Sequence, residues 1–250
     1  MADTQDAKPL GWRARFGVII PTVNTVTEPE FHAMAPDGVT SHFTRMPIHF
    51  HPEEDDFKEL MDDLEIRLIE LKTCGSTIVA YNCTVGSMAC PADMLKAKLE
   101  GVTGAPAVAT AASVLKALEV LGVKRISMAT PYSEETNEHE KEYLAAHGIE
   151  VVAMAGFDFS KSGDGGAQGS DWAAVAPGEV LAHARSVDRP EAEAVFISCA
   201  NFGSAGIAQQ LEDEIGKPVI TSNVSTFWAG LRAGGIDDKI EGYGRLFSEH

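Results

Sequence analysis

Short apolar runs alternate with amphipathic stretches from about residue 15 to the end of the 250-residue chain. The runs RFGVIIP (15–21), VTSHFTRMPI (39–48), STIVAYNC (76–83) and PAVAT (106–110) read as strands, and RISMATP (125–131), IEVVAMAGF (149–157), EAVFISC (193–199) and KPVITS (217–222) repeat them. Most are continuously apolar and β-branched, as strands covered on both faces are. Between them lie helical patterns, the strongest in HPEEDDFKELMDDLEIRLIELKTC (51–74), which sets Phe57, Leu60, Met61, Leu64, Leu68 and Leu71 on one face. Strands separated by single helices imply βαβ units and parallel sheets, an α/β fold.

The two halves of the chain also match each other. Pro106, Ser113, Ala117 and Gly122 are spaced 7, 4 and 5 residues apart, and Pro218, Ser225, Ala229 and Gly234 repeat those intervals. Each block follows a strand that ends in cysteine, in VAYNCTVGSM (79–88) and VFISCANFGS (195–204). The chain therefore reads as two pseudo-symmetric halves, each a parallel sheet flanked by helices. The expected units are 15–122, which the last helix of the chain has room to join, and 123–246. Ligands of open α/β sheets sit at the carboxyl ends of strands, so the expected active site is the cleft between the halves, with Cys83 and Cys199 on its two sides.

A net charge of -17 argues against a nucleic-acid backbone as partner. No apolar run reaches the length of a spanning helix, and the N-terminus has no basic and then apolar leader pattern, so a cytoplasmic, non-membrane protein is expected. Four cysteines without zinc-knuckle spacing are expected to be reduced thiols. Cys74 and Cys90 have no counterpart in the other half and read as structural. His49 and His51 lie beside four acids, but no third ligand is evident at metal-site spacing, and the segment reads as a strand end and an acidic helix start. No metal and no cofactor are expected.

A single cysteine at a buried strand end is ordinarily a packing residue. Two at matching positions invite a chemical reading. A thiol just before a helix N-terminus meets the positive end of the dipole and unpaired N–H groups, which favours thiolate. The same N–H groups, with Thr84 and Ser87 on one side and Asn201 and Ser204 on the other, suit a carboxylate. Two such thiols can pass a proton across a bound acid, or one can add to an activated double bond while the other manages protons.

The stretches PTVNT (21–25), CTVGS (83–87), ATPY (129–132) and the strand-final SC (198–199), in this order, resemble the Asp/Glu racemase superfamily, in its branch of maleate cis-trans isomerases and arylmalonate decarboxylases. The likeness runs over residues 15 to 246. It implies a nucleophilic Cys83, an acid/base Cys199, and substrate contacts from Asn24, Thr25, Thr84, Val85, Tyr132, Ala200 and Asn201. Decarboxylases of the branch typically carry glycine at the position of Cys83, so both thiols favour isomerase or racemase chemistry over decarboxylation. The resemblance also implies a second carboxylate-binding asparagine, and its nearest match is Asp171, near the end of the Gly-rich stretch 158–172 read as a lid or surface loop. An aspartate repels a second carboxylate and lifts a racemase of an acidic amino acid. A malonate-type decarboxylase follows, and a carboxylate-binding protein without catalysis is the reading from another class. A small carboxylate is the expected partner, and a homodimer or higher homo-oligomer the expected assembly. The tail EGYGRLFSEH (241–250) is expected over the site or at a subunit interface.

Overall fold

The computed structural model describes residues 8–49, 51–159 and 169–250. In the first half, β1 (Ala14–Pro21), α1 (Thr27–Met34), β2 (Val39–Met46), α2 (Lys58–Thr73), β3 (Ile78–Tyr81), α3 (Thr84–Met88), α4 (Ala92–Thr103), β4 (Ala107–Ala109) and α5 (Thr110–Val120) follow one another. In the second come β5 (Arg125–Thr130), α6 (Glu134–Ala146), β6 (Glu150–Gly156), α7 (Gly169–Ala174), α8 (Pro177–Val187), β7 (Ala194–Ile197), α9 (Ala208–Ile215), β8 (Val219–Thr221), α10 (Ser222–Ala233) and α11 (Arg245–Glu249). Among the described residues the strands form two parallel sheets of four, ordered β2-β1-β3-β4 and β6-β5-β7-β8. The orders are the same once β5 is set on β1, as the repeated spacing requires.

The long amphipathic helix begins later than its pattern suggests. Pro52–Asp55 form a 3-10 turn, and Asp56 and Phe57 take left-handed φ values of 54° and 64°. The Asp55 carboxylate then accepts the N–H groups of Lys58 and Glu59 at 3.1 and 2.9 Å, which caps α2 where it starts. Leu60, Leu64, Leu68 and Leu71 are buried as expected, while Phe57 and Met61 are only partly covered.

Helix α10 leaves β8 and packs against α5, β3 and β4 of the first sheet. This approach needs glycine: a Cβ on Gly230 would lie 2.1 Å from the Phe16 ring, and one on Gly234 2.2 Å from Ile78. Phe16 stacks on Phe227 of α10 with centroids 5.4 Å apart, and Phe31 closes the cluster at 4.7 Å from Phe227. The tail does not cover the cleft. Leu246 and Phe247 are buried in the core beside α10, and Arg245 N–H donates to Glu212 at 2.9 Å. Apolar burial within the chain thus fixes α11. Among the described residues no helix is long and apolar enough to cross a membrane.

Candidate active site

Both cysteines stand where a strand ends in its sheet. Cys83 follows β3 and Asn82, and caps α3, its sulfur accepting the Gly86 N–H at 3.4 Å. Cys199 follows β7 and Ser198, and its sulfur accepts the Asn201 N–H at 3.3 Å. A tyrosine hydroxyl stands beside each thiol and favours its charged form, Tyr81 at Cys83 and Tyr132 at Cys199. Each sulfur therefore has one backbone N–H and one phenol at hand, in both halves alike. The glycine of CTVGS serves this packing, since a Cβ on Gly86 would lie 2.5 Å from the Tyr81 hydroxyl and 3.0 Å from the Cys83 sulfur. Cys199 has a φ of 94°, rare for a residue with a Cβ, so its turn is strained into place.

Ser222, the first residue of α10, ties the two turns together. Its hydroxyl accepts the Cys199 N–H at 3.1 Å and the Thr84 hydroxyl at 2.9 Å. The loop after β1 is fixed to the Cys199 turn as well. Asn201 Oδ1 accepts the Thr25 N–H at 2.9 Å, and Asn24 Nδ2 donates to the Ala200 carbonyl at 3.1 Å. Beneath lies a buried polar layer in which Asn82 Nδ2 donates to Thr27 Oγ1 and to Asn223 Oδ1, each at 2.9 Å. Asn223 in turn donates to Glu30 at 2.6 Å. Such a connected set has discrete, satisfied geometry and holds the two halves in one register.

Above these groups opens a cleft of about 820 Å³ that takes both cysteines, Thr84, Val85, Tyr132, Ala200, Asn201 and Asn24 into its lining. Residues 16–247 match the family model described as arylmalonate decarboxylase. The chain belongs to the arylmalonate decarboxylase family. It is 27% identical to a maleate isomerase of Alcaligenes faecalis, over 94% of this chain and 96% of that one. The crystal structure of the maleate isomerase Iso from Pseudomonas putida S16 superposes with a TM-score of 0.83 at 25% identity, covering 94% and 98% of the two chains. A Nocardia farcinica maleate cis-trans isomerase mutant, solved with a covalently bound succinylcysteine intermediate, has a TM-score of 0.82 at 22% identity, with 95% and 99% covered.

Within this family fold, some residues singled out from sequence lie elsewhere. Thr25 is exposed beside the cleft and contributes its N–H to Asn201, not a side chain to the lining. The Ser87 hydroxyl is used by the Thr84 carbonyl and the Ala111 N–H, the Ser204 N–H donates to Glu30, and neither residue is among those lining the cleft. Asp171 lies on the exposed side of α7, while the next residue, Trp172, lines the cleft. Most of the Gly-rich stretch, residues 160–168, lies outside the described residues. His49 pairs with Asp63 at 3.0 Å, and among the described residues no cluster of metal-ligating side chains is present. Sequence reading missed Tyr81, Ser222, Phe157, Phe159 and Trp172. The first could have been found as the partner of Tyr132, had the two thiol environments been compared.

The protonation of the thiols reverses the sequence expectation. Burial pushes Cys83 up to about 11, against the opposing pull of the Gly86 N–H and the Tyr81 hydroxyl. Burial pushes Cys199 up to about 12, against the Tyr132 hydroxyl and the Asn201 N–H, with the nearby Cys83 adding to the rise. The charged form loses more by leaving water than the five-residue helix α3 and a few donors restore. Both sulfurs are thiols in the ligand-free protein at neutral pH. Iodoacetamide is expected to modify the exposed Cys74 first. Modification of Cys83 should then quicken by about tenfold per pH unit from pH 7 up to its pKa. Peptide mass mapping across that range checks both statements, and a pH-independent rate at Cys83 contradicts them.

Proposed function

We propose that this protein is a cysteine-based cis-trans isomerase of a small unsaturated dicarboxylic acid, of maleate isomerase type. The reading is carried by one observation: two thiols in like settings line a single cleft, each supplied with a phenol and a backbone N–H. The maleate isomerases to which the chain is similar over nearly its full length support it, as does the succinylcysteine held by the Nocardia farcinica mutant.

Cys83 is the nucleophile. As a thiolate it adds to one carbon of the cis double bond, and the electron pair moves to the other carbon and its carboxylate. Tyr81 and the Gly86 N–H lower the cost of charge on sulfur before addition. Tyr132 and the first N–H groups of α3, at Thr84 and Val85, are the donors for the enediolate-like charge. Cys199 lends its proton to the carbanion and takes it back. The former double bond is now single and rotates, and expulsion of Cys83 as thiolate leaves the trans acid. Atoms balance without an added oxidant or reductant. The amides of Asn24 and Asn201 are engaged across the halves, so their part is to hold the loops that carry the donors.

Proton NMR of maleate with the protein in D₂O tests the reading. Appearance of the fumarate signal is expected, with no carbon dioxide released. Release of carbon dioxide from a substituted malonate, or α-proton exchange of an amino acid without maleate turnover, selects the decarboxylase or the racemase instead.

A further inference from the structure

The cleft is far larger and more apolar than a four-carbon diacid requires. Its buried floor holds Cys83, Cys199 and Tyr132 with Asn24, Thr84 and Asn201. Toward the mouth the lining is Ile48, Val85, Phe157, Phe159 and Trp172, all only partly covered by the protein. Three of the five are aromatic. Trp172 meets the Tyr132 ring edge-on with centroids 5.3 Å apart, and Phe157 meets Phe159 at 4.9 Å. Half-covered rings beside a reactive floor present apolar surface that a bound apolar group would remove from water. Clefts of roughly 300–1,000 Å³ hold ligands well beyond the size of maleate. Charge points the same way. Among the described lining residues none is Lys, Arg or His, and the charged one is Asp158, at the mouth. Among these residues an anionic group reaching outward from the floor would find no cation to pair with.

We infer that the substrate is a cis-enedioate carrying an apolar group of aryl or branched-alkyl size on one alkene carbon, with that group against Trp172, Phe157 and Ile48. The inference rests on the isomerase reading and sharpens it. The chemistry suits such a substrate. Cys83 sulfur bonds to the unsubstituted alkene carbon, the less hindered one, and the electron pair moves to the substituted carbon, where its carboxylate and an aryl group share the charge. After rotation the carbon–sulfur bond breaks, the double bond re-forms as the trans isomer, and the thiolate is returned.

The test compares 2-phenylmaleate with maleate, each followed to its trans isomer by NMR, with kcat/KM measured for both. A kcat/KM at least about tenfold higher for 2-phenylmaleate is expected, since even one methylene in an apolar pocket is worth ~10-fold. Ile48→Trp, which fills the mouth, is expected to lower the ratio of the two kcat/KM values by tenfold or more. Trp172→Ala provides a second route to the same ratio if the first variant folds poorly. Equal or faster turnover of maleate overturns the inference and leaves the isomerase reading standing. A ratio unmoved by both folded variants also overturns it. Failure of both acids to isomerise or to form an adduct on Cys83 removes the isomerase reading, and the inference with it.

Discussion

Cys83→Ser is expected to lose isomerase activity by on the order of 10⁴-fold or more, as loss of a covalent nucleophile does, while the fold is retained. Serine is close in size, its hydroxyl can accept the Gly86 N–H that now reaches the sulfur at 3.4 Å, and the site is already lined by hydroxyl groups. A hydroxyl is a far weaker nucleophile than a thiol even where, as here, burial holds the thiol largely protonated. Cys199→Ser should be milder, about 10²–10⁴-fold, because it removes a proton carrier and not the attacking atom. The two variants separate by what they trap. With Cys199→Ser, addition at Cys83 still occurs and intact-protein mass spectrometry should find the acid's mass added. With Cys83→Ser no such adduct forms. An adduct on Cys199 in the Cys83→Ser protein, or residual activity above 10% in that variant, assigns the nucleophile to the other thiol.

The raised pKa values set the pH profile of this activity. The thiolate of Cys83 grows in population as pH rises toward about 11, so kcat/KM should climb through neutral pH with no plateau near the ordinary cysteine range. Stability moves the opposite way. A thiol whose folded pKa is raised stabilises the fold fully below its unfolded value, near 9.0, and loses that contribution as pH passes through about 11 for Cys83 and about 12 for Cys199. Activity and stability should therefore diverge above pH 9.

What could be read from sequence divides along physical lines. The duplicated strand, cysteine and helix pattern was legible because period and spacing survive in one dimension. The equal strand orders of the two sheets follow from it. Cys83 and Cys199 could be brought to one cleft by that same symmetry, without coordinates. Ser222 could not, since its role depends on α10 crossing from the second sheet to the first, a fact of packing with no local signal. Asp171 and Trp172 show the limit of resolution: on a short helix adjacent residues point about 100° apart, so a shift of one exchanges an acid for an indole at the cleft. The sign of the cysteine shift also escaped. Helix N-termini and donors are visible in sequence, but the burial that outweighs them is not.

Gly230→Ala should destabilise the protein by about 2 kcal/mol or more, the cost of overpacking a tight core, although alanine is the better helix former by ~1 kcal/mol. The new Cβ would stand 2.1 Å from Cζ and 2.7 Å from Cε1 of Phe16. That ring has no room to retreat. It is fully buried, stacked on Phe227 at 5.4 Å and bounded by Phe31 at 5.8 Å. Either the aromatic cluster opens or α10 lifts from the first sheet. The second outcome would also disturb Ser222 and Asn223, which begin α10 and join the Cys83 and Cys199 turns, so activity should fall along with stability. Urea unfolding should show a lower midpoint with unchanged slope, and the melting temperature should drop by roughly 4–8 °C. Phe16→Leu in the Gly230→Ala background should recover part of the loss, giving a favourable coupling energy in a double-mutant cycle. Gly101 provides the opposite case within the same protein. It lies inside α4 with nothing within 4 Å of a new Cβ, so Gly101→Ala should gain helix propensity and stabilise by up to ~1 kcal/mol. If both alanines shift stability in the same direction, the close approach of α10 to the first sheet is not what requires glycine at position 230.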